Sequence, residues 1–273
     1  MDIFMILAAF GGGAFAAAIG ALPAFILVGI VGLTGLTVST GPINMVDGVA
    51  FGAFLGPHIS FAAGVGAAAF AHKIGELESG ADLVTPLNKF SNPLILLVGG
   101  AFGVIGCVLN YLFLEIIHVP ADTGALTVLA SGVIARLVFG KSGLLGDTKV
   151  KERKYFPNGK EIIYLIMLGL GAGLVSSYYA VTTGIAVLGF FISATTLIFA
   201  QMGYAVPVTH HITLMAGLAG VTSGNIYIGA AFGIIAAIVG DIVCKTLNSH
   251  ADSHIDPPAT TNFLLSLIIT LLL

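Results

Sequence analysis

The chain has 273 residues, 57% of them hydrophobic and only 8% charged, with a formal net charge of −3. A soluble domain carries about 25% charged residues, so this composition does not build a water-facing surface. It also excludes a nucleic-acid binder, because no basic block is interleaved with aromatic residues.

Hydropathy and turn signals predict ten apolar helices, near 3–19, 22–39, 44–72, 92–117, 122–141, 162–177, 180–202, 208–223, 225–246 and 259–273. A membrane span needs roughly 20 mostly apolar residues. The N-terminus lacks the positive region of a cleavable signal peptide, so the first helix is read as retained. Ile3 to Leu36 is too long for one helix, and Gly20 to Pro23 offers the break. The third stretch is interrupted by Gly56-Pro57, and a polar insertion, His72 to Ser91, follows it. A connector from Lys141 to Glu161 holds six basic residues and Pro157-Asn-Gly. Ile162 to Ala200 is expected to break around Ser176 to Tyr179. The eighth stretch is short and is preceded by Pro207.

The 37 glycines suit helices that pack closely where lipid supplies no hydrophobic drive. Gly48, Gly52 and Gly56 predict one close helix contact, and Gly229 with Gly233 another. Cys107 and Cys244 fall at non-equivalent places in apolar runs and read as core residues.

The two halves repeat one another. Gly11-Gly-Gly13 with Gly29 recurs as Gly171-Ala-Gly173 with Gly189, and His58-Ile-Ser-Phe-Ala-Ala-Gly as His211-Ile-Thr-Leu-Met-Ala-Gly. Gly100-Ala-Phe-Gly-Val-Ile recurs as Ala230-Ala-Phe-Gly-Ile-Ile, and Pro120-Ala-Asp-Thr-Gly-Ala-Leu as Pro258-Ala-Thr-Thr-Asn-Phe-Leu. Self-similarity in the same order marks an internal duplication. Five helices per half is an odd number, so the second half must insert upside down. The expected fold is an all-α membrane protein of about ten transmembrane helices in a 5+5 inverted repeat. Residues 1–141 form the first half, 142–161 the basic cytoplasmic connector and 162–273 the second half. With both termini outside, all ten Lys and Arg fall at or near the cytoplasmic side, as the positive-inside rule requires.

Few residues within these stretches carry chemistry. His58 and His211 occupy equivalent repeat positions beside the helix-breaking Pro57 and Pro207. An ionisable group inside a bilayer is costly and usually faces a cavity or pathway, although a histidine beside a proline can instead bond a freed backbone group. Ser60 and Thr213 also correspond and could line the same path or bond back to their own helices. His210 matches Pro57 and reads as a local hydrogen-bonding partner. Asp241 stands four residues before Lys245, which permits an ion pair and leaves it a candidate proton or cation site. His250, Asp252, His254 and Asp256 alternate, so an extended loop could turn them toward one metal ion. Solvated loops use the same residue types, and Asp256-Pro257 also looks like a helix entrance.

The layout is similar to the 5+5 inverted-repeat channels of the ammonium and urea classes, and the paired histidines resemble the twin-histidine pore of the former. No stretch matches the motifs of either family. No P-loop, HExxH, GxSxG or CxxC motif occurs, so an enzyme is not expected, nor is a cofactor. The expected function is a multi-pass transporter or channel of the cytoplasmic (plasma) membrane, moving a small solute or ion between the two repeats. Its partners are the lipid bilayer, the solute and, where copies associate, a homo-oligomer. A divalent-metal permease and a non-transporting membrane subunit are the alternatives.

Overall fold

The structure is a computed structural model that describes residues 1–38 and 44–273. Its regular elements are all helical: α1 (Ile3–Ile19), α2 (Ala21–Thr37), α3 (Ser60–Lys73), α4 (Pro93–Tyr111), α5 (Thr123–Phe139), α6 (Gly159–Thr183), α7 (Leu188–Thr196), α8 (Ile198–Gln201), α9 (His210–Ser223), α10 (Ile226–Leu247) and α11 (Pro257–Leu272). Helices occupy each of the ten predicted stretches, and residue 39, predicted to end the second, lies outside the described residues.

Local chemistry explains where they start. Asp2, Asn92, Asp122, Asn158, Asn225 and Asp256 precede α1, α4, α5, α6, α10 and α11, and each side chain accepts a hydrogen bond from a backbone N–H of the first turn. Short Asx side chains do this well because they satisfy donors that have no partner inside the helix. Gly20, at φ +99°, turns α1 into α2 through 117°. Gly184, at φ +73°, ends α6. The break expected at Ser176 to Tyr179 is therefore displaced. Those residues stay helical because Ser176 Oγ donates to the Thr213 carbonyl (2.6 Å) and Ser177 Oγ to that of Ile226 (2.9 Å), clamping α6 to α9 and α10.

Among the described residues three helical runs are long and apolar enough to cross a bilayer alone: Pro93–Ile116, which continues α4 through a π-helical turn, then α6 and α10. The bent pair α1–α2 makes a fourth if counted as one span. These lengths do not supply ten full spans. With 14 residues each, α3 and α9 are about 21 Å long, short of a hydrocarbon core of about 30 Å. On α6, Ile163, Met167, Val175 and Tyr178 are all more than half exposed. A continuous apolar face of this kind marks a surface made for another apolar phase.

Packing in one half recurs in the other. In the first, α1 lies on α3 and α4; in the second, α6 lies on α9 and α10. Glycines set both contacts. A Cβ on Gly13 would lie 2.9 Å from the Gly103 Cα, and one on Gly173 would lie 3.3 Å from the Gly233 Cα. The contact expected at Gly48, Gly52 and Gly56 does not form. The chain there is a π-helical turn (Val46–Ala50) and then irregular backbone. A Cβ on Gly52 would meet the Gly48 carbonyl of its own segment, not another helix.

The insertion after α3 has no repeat counterpart, and it is not a free loop. Leu77 and Leu87 are buried, the Leu83 carbonyl accepts from Leu22 N–H, and the Val84 carbonyl accepts from Gln201 Nε2. The connector is also tied down. The Arg153 guanidinium donates to the Thr246 carbonyl near the end of α10, and Asp147 N–H donates to the His250 carbonyl.

Candidate functional site

Both halves and the insertion line a half-open cavity of about 930 Å³. Its wall takes residues from α2, the irregular segment before α3, the end of α4 and the starts of α5, α9 and α11, together with α6, α7 and α10. Short helices that start or stop here leave backbone groups and capping side chains around the space.

His58 and His211 both line it. Their settings differ. His58 precedes α3, and its Nδ1 lies 3.9 Å from where a Cβ on Gly124 would stand, at the first turn of α5. His211 is the second residue of α9, and its ring rests on Gly240 of α10, where a Cβ would come within 2.6 Å of Nε2. Neither Nδ1 of His211 nor Nδ1 of His210 has a hydrogen-bond partner, although each residue is only 7% exposed. The prolines therefore leave these rings free. An unpaired buried polar atom costs about 1–3 kcal/mol, and both nitrogens are closed off from solvent.

His210, read from the sequence as a local partner, is part of the wall. Its ring centroid lies 4.7 Å from that of Phe25 and 5.9 Å from that of Phe190. Ser60 and Thr213 do not join the wall. Ser60 Oγ donates to the Leu55 carbonyl at 2.7 Å, and Thr213 Oγ1 is engaged with Ser193 Oγ and the carbonyls of Thr209 and His210. A hydroxyl near a helix start finds a backbone carbonyl within reach, and here both do. Asp241 borders the cavity but is paired with Lys245 at 2.7 Å, which also holds Glu161 at 2.9 Å. Cys107 is buried, whereas Cys244, read as core, is exposed and borders the cavity.

The alternating loop divides instead of converging. Asp252 turns toward the end of α5, accepting from the backbone N–H groups of Lys141 and Ser142 and from Ser142 Oγ. His250 sits at φ +59° and offers its carbonyl to Asp147. His254 Nε2 lies 3.1 Å from Asp256 Oδ1, and both line the cavity. The positive φ of His250 and the bonds of Asp252 to the end of α5 keep the four side chains from meeting at one point. Among the described residues no three His, Cys, Asp or Glu side chains are grouped to hold a metal.

Burial alone would raise the Asp252 carboxyl, but its hydrogen bonds to Lys141 and Ser142 outweigh this and hold it below the usual range. A carboxyl lowered on folding adds stability that is complete above its unfolded value of about 3.9 and is lost as pH falls through its folded value. Asp252→Asn is therefore expected to melt earlier than the parent at pH 7, with the gap closing as pH falls through the lowered value of the folded carboxyl. A constant gap across that range in detergent melts would assign the effect to packing.

Sequence comparison within the chain paired Asp122 with Thr260. Cap geometry pairs it with Asp256. Asp122 Oδ1 accepts from Ala125 N–H at 2.8 Å, and Asp256 Oδ2 from Ala259 N–H at 2.7 Å. Both aspartates line the cavity, as do Asn110 and Asn262, each with an unpartnered side-chain oxygen. The N-cap signal Asp-x-x-Ala, present at both helix starts, could have shown this register.

One family model matches the chain, over residues 1–157 and 148–273, and its description is a family of unknown function, DUF7973. No curated protein and no solved structure matches the chain.

Proposed function

The chain belongs to the family of unknown function DUF7973, and we propose that it is a multi-pass protein of the cytoplasmic membrane that moves a small solute through the cavity between its halves. The observation that carries this reading is a roughly 930 Å³ space walled by both halves and lined by His58, His210 and His211. A pathway placed between two repeats is the usual arrangement in transporters, with discontinuous helices supplying free backbone and side-chain groups near the midplane. The short α3 and α9, each preceded by irregular chain beside Pro57 or Pro207, suit that role. So does the exposed apolar face of α6, which lipid would cover. In this reading the halves are an inverted repeat, both termini lie outside and the basic connector lies in the cytoplasm.

Reconstitution into proteoliposomes tests it, with solute entry followed by stopped-flow light scattering. His211→Ala is expected to change flux at least severalfold while leaving the detergent melting point nearly unchanged, because no hydrogen bond to its ring is removed. Parent vesicles no more permeable than empty ones would end the transport reading. A variant that melts much earlier would make His211 structural.

A further inference from the structure

The wall of the cavity holds four aspartates and, among the described residues, no lysine or arginine. Two are paired with a lysine or a histidine, and a third serves the turn of the insertion. Asp241 is bound to Lys245, Asp256 to His254 and Ala259, and Asp82 accepts from the backbone of Val84 and Thr85. Asp122 is different. It accepts from Ala125 N–H, and among the described residues no basic side chain forms an ion pair with it. A carboxylate withdrawn from bulk water is stabilised by a counter-charge, and this one faces the cavity.

Independent features point to the same guest. His210, His211 and Asn262 line the same cavity and are 7%, 7% and 5% exposed. A neutral imidazole carries one accepting and one donating nitrogen, and an amide oxygen accepts. Against His210 lies a row of aromatic rings, with centroids 4.7 Å (Phe25) and 5.9 Å (Phe190) from its own. Phe25 lies 5.6 Å from Phe61 and 5.8 Å from Phe190, and Phe190 lies 5.9 Å from Phe51. Such rings offer an apolar surface to the carbon skeleton of a guest. The volume is at the upper end of small-molecule sites, which run to about 1,000 Å³, far more than a bare inorganic ion occupies.

We infer that the cavity takes a monovalent organic cation, its ammonium group against Asp122 and its apolar part against Phe25, Phe61 and Phe190. This names the substrate class of the proposed pathway and rests on that cavity being a solute site. A carboxylate with no basic partner and an apolar aromatic lining together recognise an amine better than an alcohol or an acid of the same shape.

The test uses the purified full-length chain in detergent, equilibrium dialysis, and three probes of one shape: 2-phenylethylammonium, 2-phenylethanol and 3-phenylpropanoate. The ammonium probe is expected to bind at least tenfold more tightly than either of the others. Asp122→Asn is expected to weaken it at least tenfold. Asparagine caps a helix as well as aspartate does, so this variant should keep the parent's melting point. Flux of the same probes into proteoliposomes separates the two ideas. Selective binding of the ammonium without flux would uphold the inference while removing the transport reading. Flux of the alcohol with no preference for the ammonium would overturn the inference and leave transport standing. Binding of the ammonium that is unchanged in Asp122→Asn would overturn it as well.

Discussion

Arg136→Ala is expected to lower stability by several kcal/mol, since each buried carbonyl left without a donor costs about 1–3 kcal/mol. Arg136 is 1% exposed, near the end of α5. Its Nε donates to Ser253 Oγ at 3.1 Å. Its two amino groups reach the carbonyls of Leu144, Leu247 and Ser253 and the side-chain oxygen of Asn248. Asn248 in turn bonds both the N–H and the carbonyl of Ile255. Removing the guanidinium thus strands three carbonyls and loosens the loop that carries His254 and Asp256 to the cavity. Arg136→Lys keeps the charge but cannot span acceptors on both sides of the planar fork, so it should fall between parent and alanine. Detergent melts of the three proteins check the order. An alanine variant that melts with the parent would show the network to be dispensable.

Gly106→Ala is expected to be nearly as damaging, by about 1–3 kcal/mol or more for overpacking, although it adds one methyl group. A Cβ on Gly106 of α4 would lie 1.8 Å from the His58 carbonyl oxygen. That neighbour is backbone and cannot rotate away, so the segment bearing His58 must move. Gly171→Ala is the matched control on α6. Nothing lies within 4 Å of its Cβ position, and alanine in a helix interior is favoured over glycine by about 0.5–1 kcal/mol. The pair is read by melting point and by solute flux, with Gly106→Ala low in both and Gly171→Ala equal to or above the parent in both. Unchanged melting of Gly106→Ala would mean that α4 and the His58 segment are not in close contact.

The positions of the helices were legible because their causes are local. Apolar runs, Asx residues at helix starts, and Gly20 act within a turn or two of chain, and such effects can be read in order along it. The repeat was legible for the same reason. It placed His58 and His211 in one class, and both line the cavity. Local reasoning failed where two local outcomes compete. Ser60 and Thr213 could face a path or bond a carbonyl, and the carbonyls took them. Ser176 and Ser177 looked like a break, until partners on neighbouring helices held α6 straight.

What only the tertiary structure decided involves residues far apart in sequence. Arg136 meets Leu247 across 111 positions and Asp252 meets Ser142 across 110, so nothing near Arg136 announces that it is buried or which carbonyls it serves. Gly106 is one of 37 glycines, and only the approach of the His58 carbonyl distinguishes it. Asp122, His210 and Asn262 become one site because α5, α9 and α11 all begin beside the same space. By itself the sequence determined an all-helical, apolar, duplicated chain, since hydropathy and capping are properties of short segments. The cavity and its unpartnered groups were set by packing between those segments, which fixes where each side chain points and what remains to meet it.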